Sequence, residues 1–263
     1  MPNEDLRVDE LSHLLGARSL WSPVEWVTST GSTNADLSAR ARSGAAEGVA
    51  RISDEQTSGR GRLARTWVSP AGASLSMSVL LKPSHGPEVW GWLSLLAGMA
   101  IADALEALAP EGVAVELKWP NDVLIGGRKV CGILSERIER PDGAKAVVGM
   151  GINLALTADQ LPVPHATSLL LAGFDARPVE VAAGVLTHFE RLYRQWQDDA
   201  DVRVEYQRRC ASIGADLRIV VSETETVSGR GVGVDEFGRL LVADAGRVRA
   251  FAVGDVIHAR LPR

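Results

Sequence analysis

The chain has 263 residues, of which 46% are hydrophobic and 23% are charged, with a formal net charge of −5 and a pI of about 5.6. These values are typical of a globular protein that folds as one large domain, alone or with a smaller one. An acidic chain without a broad basic face argues against nucleic acid as the main partner.

The order of apolar, capping and turn-forming residues predicts alternating strands and helices up to about residue 212. Residues 1–20 are expected to form a loose arm with one short helix. Strands are predicted at 24–30, 50–53, 74–81, 113–118, 129–138 and 145–154, and the alternation in 74–81 is typical of a half-buried strand. Helices are predicted at 35–43 and 88–109, from 178 through 196, and at 201–210.

The sequence changes character near residue 213. Residues 213–260 contain short β-rich runs separated by the turns DEFG and DAGR, which predicts a small barrel of short strands. We therefore expect an N-terminal arm at 1–20, a larger domain at 21–212 and a C-terminal domain at 213–263.

Cysteine usage and the N-terminus bear on the compartment. Cys131 and Cys210 do not form a CxxC pair, so a disulfide framework or a zinc site is not expected, and a reducing cytoplasm fits. The first ten residues are acidic and polar, unlike a signal peptide. The longest apolar run, at 93–108, carries Asp103 and Glu106 and predicts a helix rather than a membrane span.

Residues 31–37 read GSTNADL. One interpretation is a helix start, with Thr33 as the N-cap and Asp36 completing a near capping box. The other is a binding site, because a helix N-terminus with Ser32, Thr33 and Asn34 offers donors and acceptors at the positive end of the helix dipole. Such a site suits a small polar head group, for example a ureido ring.

Residues 59–65 read GRGRLAR, and Trp67 follows. The stretch is either a solvated loop or an anion-binding loop, since arginines form charge-assisted bonds to phosphate or carboxylate and glycines let the backbone fold around a ligand. No GxxxxGK[ST] motif is present, so this is not a Walker A loop. The like charges of Arg60, Arg62 and Arg65 predict a mobile lid that closes when an anion binds.

The stretch 117–134 reads LKWPNDVLIGGRKVCGIL. Lys118 is either a surface lysine before a Pro-Asn-Asp turn or a fixed charge that brings a carboxylate close to the α-phosphate of ATP. Asn121 and Asp122 either hold a magnesium ion or only form the turn. The GxG at 149–151 lacks the third glycine of a dinucleotide-binding fingerprint, which excludes that interpretation.

Four stretches in this order, GSTNADL, EQTSGRGRLARTWVSP, LKWPNDVLIGGRKVCGIL and GMGINL, resemble the biotin protein ligases over nearly the whole chain. The resemblance implies an α/β (α+β) catalytic domain with a mixed sheet flanked by helices, as in class II synthetase-like biotin/lipoate ligases, and a small C-terminal SH3-like β-barrel. It implies ATP-dependent biotinylation of a lysine on biotin carboxyl carrier protein through biotinyl-AMP, with ATP, Mg²⁺ and the substrate biotin.

The resemblance also assigns residues by motif position. Biotin contacts are implied for Ser32, Thr33, Asn34, Gln56, Arg60, Gly61, Arg62, Lys118 and Gly132. ATP or adenylate contacts are implied for Arg60, Arg62, Arg65, Trp67, Lys118, Asn121 and Asn153. Lys118, Arg60 and Arg62 would be catalytic, and Asp122 would bind magnesium.

The chain departs from the family pattern at four places. Ala64 replaces a glycine, and Cys131 replaces a small apolar residue. The stretch PHATSL lacks the tryptophan on which adenine stacks in some relatives, which leaves Trp67 as the candidate. About thirty residues precede GSTN, too few for the DNA-binding domain of repressor-type relatives, so a ligase-only type is expected.

Two other functions are considered beside biotin ligation. One is a lipoate–protein ligase of related fold, and the other is a biotin-binding sensor without catalysis. The arginine loop and KWPND favour biotin ligation, with the carrier domain of a biotin-dependent carboxylase as partner. Neither a nucleic acid nor a membrane is expected as a partner, and the sequence is compatible with a monomer or a homodimer.

Overall fold

A computed structural model describes residues 4–68, 70–222, 224–252 and 254–258. The outer ends of the predicted arm and C-terminal domain, residues 1–3 and 259–263, lie outside the described residues. The described helices are α1 (Glu4–Leu15), α2 (Thr33–Arg42), α3 (Gly91–Glu106), α4 (Pro178–Gln197) and α5 (Arg203–Arg209). The strands are β1 (Val24–Val27), β2 (Ala50–Ser53), β3 (Ser74–Leu81), β4 (Val115–Lys118), β5 (Asp122–Ile125), β6 (Arg128–Ile138), β7 (Lys145–Asn153), β8 (Asp216–Val220), β9 (Thr226–Val234), β10 (Leu240–Asp244), β11 (Arg247–Phe251) and β12 (Asp255–His258).

The first seven strands form one sheet in the order β1-β2-β3-β7-β6-β5-β4. Only β1 and β2 pair in parallel and the other pairs are antiparallel, so the sheet is mixed. Helix α2 packs on β3 and β7, whereas α3 packs on β4 to β7 and is in turn contacted by α4. The predicted mixed sheet flanked by helices is confirmed. No helix within the described ranges is both long and apolar enough to cross a membrane.

Three local predictions were wrong. Strand β3 was expected to be half-buried, but every one of its residues is buried. The reason is that helices cover both faces of the sheet. The segment interpreted as a turn after KWPN contains strand β5, which pairs with β4 and β6. The short helix expected within residues 1–20 is present as α1, but the arm is not loose, because Leu11 of α1 is fully buried in the core between β1 and α4.

The second sheet is antiparallel throughout, in the order β11-β10-β9-β8-β12, and corresponds to the expected C-terminal β-domain. Two tryptophan side chains of the larger unit donate hydrogen bonds to the β9–β10 turn of the second sheet. Trp92 Nε1 donates to the Glu236 carbonyl at 2.9 Å, and Trp119 Nε1 donates to the Gly238 carbonyl at 3.0 Å. The fully buried Trp119 follows Lys118 directly, so the small sheet is bonded to the backbone beside that lysine.

A histidine joins the segment after β3 to the end of α4. His85 Nε2 lies 2.9 Å from Asp199 Oδ1 and its Nδ1 lies 3.2 Å from Gln197 Oε1, so both ring nitrogens face acceptors. This favours the imidazolium, and the hydrogen bond to Asp199 raises the pKa of His85, with a smaller contribution from the charge of Glu88. A raised folded-state pKa stabilises the fold below about pH 6.5, and that stability is lost as the pH rises through the folded value.

We therefore expect His85→Gln to lower the free energy of unfolding more at about pH 5.5 than at about pH 8.5, by less than about 1 kcal/mol because Asp199 is exposed. Urea unfolding at the two pH values measures the difference. His13→Gln, which removes an imidazole of α1 outside this cluster, is the control. An equal loss at both pH values would contradict the assigned charge state.

Candidate functional site

A cavity of about 1010 Å³ lies on the α2 side of the large sheet and extends to β8 and β12 of the small sheet. Every residue that the sequence assigned to the site lines it: Ser32, Thr33, Asn34, Gln56, Arg60, Gly61, Arg62, Arg65, Trp67, Lys118, Asn121, Asp122, Gly132 and Asn153. The structure therefore brings the four motifs together, and each motif forms a different part of the cavity lining.

The N-terminus of α2 forms one wall. Ser32 is the N-cap and its Oγ accepts from Ala35 N at 3.4 Å, so the prediction of Thr33 as the cap was wrong. Thr33 instead donates to Gln56 Oε1 from its backbone nitrogen at 2.9 Å and from its hydroxyl at 3.2 Å. The cap and the motif around Gln56 are thus joined at this wall.

Asn34 is buried and fully engaged within the protein. Its Nδ2 donates to the Leu134 carbonyl at 3.1 Å and to Glu136 Oε2 at 2.8 Å, and its Oδ1 accepts from the Ser78 hydroxyl at 2.6 Å. A Cβ at Gly149 would lie 2.0 Å from Asn34 Oδ1, so glycine is required there. Asn34 therefore positions α2 on the sheet, and its direct contact with a ligand stays a prediction.

The arginine-rich stretch is a small hairpin. Trp67 N donates to the Gly59 carbonyl at 2.9 Å and Gly61 N donates to the Arg65 carbonyl at 2.7 Å. Leu63 lies at the tip with a left-handed φ of 54° and is 70% exposed. The backbone pairing holds a shape that the sequence alone did not indicate.

The first two arginines of this hairpin point toward different ends of the cavity. Arg60 Nη2 donates to Glu136 Oε2 at 3.0 Å, beside the wall formed by α2. Arg62 Nη1 donates to Asn121 Oδ1 at 3.0 Å, and its Nη2 donates at 3.4 Å to the carbonyl of Gly254, the residue before β12 of the small sheet. The hairpin is therefore attached to both sheets.

Glycines of β6 and β7 form the floor. Gly132 and Gly151 are register partners, and Trp67 covers both. A Cβ would lie 3.0 Å from the indole at Gly132 and 2.4 Å from it at Gly151. The indole Nε1 is buried without a hydrogen-bond partner among the described residues. Adenine stacking on Trp67 stays a prediction.

The other end of the cavity is cationic. Lys118 ends β4 and faces Asp122 of β5 in the register. Burial lowers the pKa of both His165 and His258, and the charge of Lys118 lowers each further. Both imidazoles lining this end are consequently neutral at pH 7. Lys129, which the sequence analysis missed, adds a second ammonium here.

The magnesium prediction rests on Asp122, whose Oδ1 lies 2.5 Å from Lys129 Nζ. Within the described ranges no group of three or more His, Cys, Asp or Glu side chains is arranged to hold a metal ion. Mg²⁺ commonly uses one or two carboxylates together with substrate phosphates, so an ion that arrives with ATP would have to replace Lys129 Nζ at Asp122, and the magnesium contact stays a prediction.

Asn153 ends β7, two residues after the floor glycine Gly151. Its Nδ2 donates to the Thr167 carbonyl at 2.9 Å, and the same loop pairs with β6 through hydrogen bonds between Lys129 and both His165 and Thr167. The predicted adenylate contact of Asn153 stays a prediction, since this amide positions the loop.

The sequence analysis assigned no role to Lys129 and Gly149, which line the cavity, or to Ser78 and Glu136, which bond to side chains of its α2 wall. A signal for two of them was present, because residues two apart in a strand share a face. Counting in twos from Gly132 along β6 reaches Glu136, and counting back from Gly151 along β7 reaches Gly149. Ser78 and Lys129 gave no such signal.

Comparison with known proteins agrees with this geometry. The model of the Biotin/lipoate A/B protein ligase family matches residues 26–153, and that of the Biotin protein ligase C terminal domain matches residues 218–259. The chain is 39% identical over 252 residues to the biotin–[acetyl-CoA-carboxylase] ligase of Mycobacterium tuberculosis, covering 94% of this chain and 93% of that protein. The chain belongs to the biotin protein ligase family.

Other members of the family extend the likeness. The bifunctional ligase/repressor BirA of Bacillus spizizenii is 30% identical, with 97% of this chain and 78% of that protein covered. The structure of the biotin protein ligase from Aquifex aeolicus in complex with biotin and ATP superposes with a TM-score of 0.76 at 26% identity, covering 92% of this chain and 100% of that chain.

Gly149→Ala tests the close approach of α2 to the sheet. The added Cβ would displace the buried amide of Asn34, so we expect a loss of about 2 kcal/mol in the free energy of unfolding. Urea denaturation measures it. Gly31→Ala is the control, because a Cβ at Gly31 meets nothing within 4 Å. Equal stability of the two variants would show that Asn34 adapts freely.

Proposed function

We propose that this chain biotinylates a lysine of a biotin carboxyl carrier domain, using ATP and passing through biotinyl-AMP. One observation carries the proposal. A single cavity joins the polar wall around Ser32, Thr33 and Gln56 to the cationic end around Lys118, beneath the arginine hairpin. The names of the relatives, one an acetyl-CoA-carboxylase ligase and one a ligase bound to biotin and ATP, support the same activity.

In the first step, a biotin carboxylate oxygen attacks the α-phosphorus of ATP. A new P–O bond forms, the bond to the β-phosphate breaks, and pyrophosphate leaves with the electron pair. The two reactants are anions that repel each other. The ammonium of Lys118 offsets this repulsion at the cationic end of the cavity, which lowers the barrier without any proton transfer.

In the second step, a neutral carrier lysine attacks the acyl carbon of biotinyl-AMP. An amide bond forms, AMP leaves, and the proton of the attacking amine is released. The mixed anhydride must survive until the carrier arrives. The hairpin, attached to both ends of the cavity through Arg60 and Arg62, excludes water from it.

The other assigned residues complete the site. Ser32, Thr33 and Gln56 would bind the biotin head group, with Gly61 and Gly132 allowing the backbone to approach. Arg65, Trp67 and Asn121 would contact the adenylate. Asp122 would hold Mg²⁺, which neutralises phosphate charge when ATP is bound.

The partner we propose is the carrier domain of a biotin-dependent carboxylase, in keeping with the names of the relatives. The acidic net charge of −5 supports no nucleic-acid partner. Both a monomer and a homodimer suit this mechanism, because every proposed residue belongs to one chain. The buried free cysteines Cys131 and Cys210 suit a reducing cytoplasm.

The function is tested by transfer onto an apo carrier domain. The enzyme, Mg-ATP and either biotin or lipoate are mixed with the carrier, whose intact mass is then measured. We expect a biotin-sized gain only with biotin, and none without ATP. A gain only with lipoate would overturn the pocket assignment, and biotin binding without any gain would indicate a sensor.

We expect Lys118→Ala to slow biotin-dependent pyrophosphate exchange by about 100- to 1000-fold, because the charge that offsets two anions is lost. Isotope exchange between pyrophosphate and ATP measures this step without the carrier. The exposed Lys82→Ala is the matched control. Normal exchange by the Lys118 variant would refute the assigned role.

Arg62→Ala should raise the release rate of biotinyl-AMP about tenfold, which is the effect of losing about one charge-assisted hydrogen bond. The biotin affinity should change less, because the lost bonds hold the hairpin and the phosphate. Retention of labelled intermediate during a chase measures the rate. Arg208→Ala, on the exposed side of α5, is the control. An unchanged release rate would contradict closure by this hairpin.

A further inference from the structure

A chain of hydrogen bonds links the α2 wall to the arginine hairpin. Ser78 Oγ lies 2.7 Å from Thr33 Oγ1 and donates to Asn34 Oδ1 at 2.6 Å. The Asn34 amide donates to Glu136, which also accepts from Arg60. Segments that are 102 residues apart in sequence, around Asn34 and Glu136, are thereby in direct contact.

Glu136 is the junction of this chain. One oxygen, Oε2, lies 2.8 Å from Asn34 Nδ2 and 3.0 Å from Arg60 Nη2. An ionised carboxylate accepts several donors at once. Asn34 is itself held by the hydrogen bond from Ser78 and by close packing of its amide on the backbone of Gly149. Its bond to Glu136 therefore orients the carboxylate toward Arg60.

We infer that Glu136 is a positioning residue for the biotinylation proposed above, on which this inference rests. It holds the guanidinium of Arg60 against the polar wall of the cavity and so sets the first limb of the hairpin. Arg60, Arg62 and Arg65 lie within six residues and repel one another. Without the carboxylate, the limb that carries Arg60 leaves the sheet more often, and the reaction intermediate escapes.

The effect should be confined to retention. Arg60 is 47% exposed and Glu136 is 26% exposed, so the pair is partly screened. We expect Glu136→Gln to raise the release rate of biotinyl-AMP about fivefold, the scale of a partly exposed ion pair. The kcat of pyrophosphate exchange at saturating substrates should change less than about twofold, because Lys118 lies at the other end of the cavity.

A double-mutant cycle separates positioning from a general structural effect. Biotinyl-AMP is formed on the enzyme from labelled ATP, and its loss is followed after a chase with unlabelled intermediate. In an Arg60→Ala background, E136Q should change the release rate less than about 1.5-fold, because its partner is gone. An equal increase in both backgrounds would overturn the inference.

A second readout needs no ligand. The hairpin contains tryptic sites after Arg60, Arg62 and Arg65. In the free enzyme, E136Q should speed cleavage at these sites several-fold while other sites and the melting temperature stay unchanged. Glu139→Gln removes an exposed carboxylate just beyond β6 that pairs with Arg137, and is the matched control. Uniform cleavage of E136Q and wild type would contradict the inference.

The two readouts distinguish failure of this inference from failure of the proposed function. If the wild-type enzyme forms no biotinyl-AMP, the proposed function is wrong, and the cleavage rates still decide whether Glu136 holds the hairpin. If the wild type forms and retains the intermediate but E136Q behaves the same, the role of Glu136 is wrong and the function stands.

Discussion

The amide of Asn34 lies so close to β7 that any side chain at Gly149 would collide with it, and this contact fixes where α2 meets the sheet. Three consequences depend on it. The N-cap serine faces the cavity, the amide protons of Asn34 reach β6, and Glu136 receives a defined neighbour. A buried amide needs partners for its donors and its acceptor, and here β3 and β6 supply them all. Contacts within the protein therefore hold the polar wall in place.

Electrostatics divides the cavity in two. The chain is acidic overall, yet Lys118, Lys129 and Arg62 line one end, where two histidines are held neutral by burial and by the nearby lysine. At the opposite end, the guanidinium of Arg60 already has a carboxylate partner, Glu136. A ligand with a neutral polar head and an anionic tail matches this polarity. The arginine hairpin contacts both ends, through Arg60 at one and Arg62 at the other.

The sequence predicted element types better than it predicted contacts. Long amphipathic helices such as α4 and the β-rich end were predictable from periodicity, whereas β5 was hidden because its four residues lie between two turn signals. Motifs identified most of the cavity lining, since glycine, arginine and lysine have restricted uses. The bond between Asn34 and Glu136 spans 102 residues, and nothing local to either residue indicates it. The burial of β3 likewise depended on helices distant in the chain.

The indole of Trp119, which follows Lys118, is bonded to the β9–β10 turn, and Trp92 is bonded to the same turn. Removing the small sheet would leave two buried indole donors without acceptors, one of them adjacent to the lysine assigned to adenylation. The C-terminal unit is thus no exchangeable module. A chimera that imports this unit from a relative must reproduce the carbonyl positions at Glu236 and Gly238. Otherwise Lys118 will be displaced from its position in the cavity even if both halves fold.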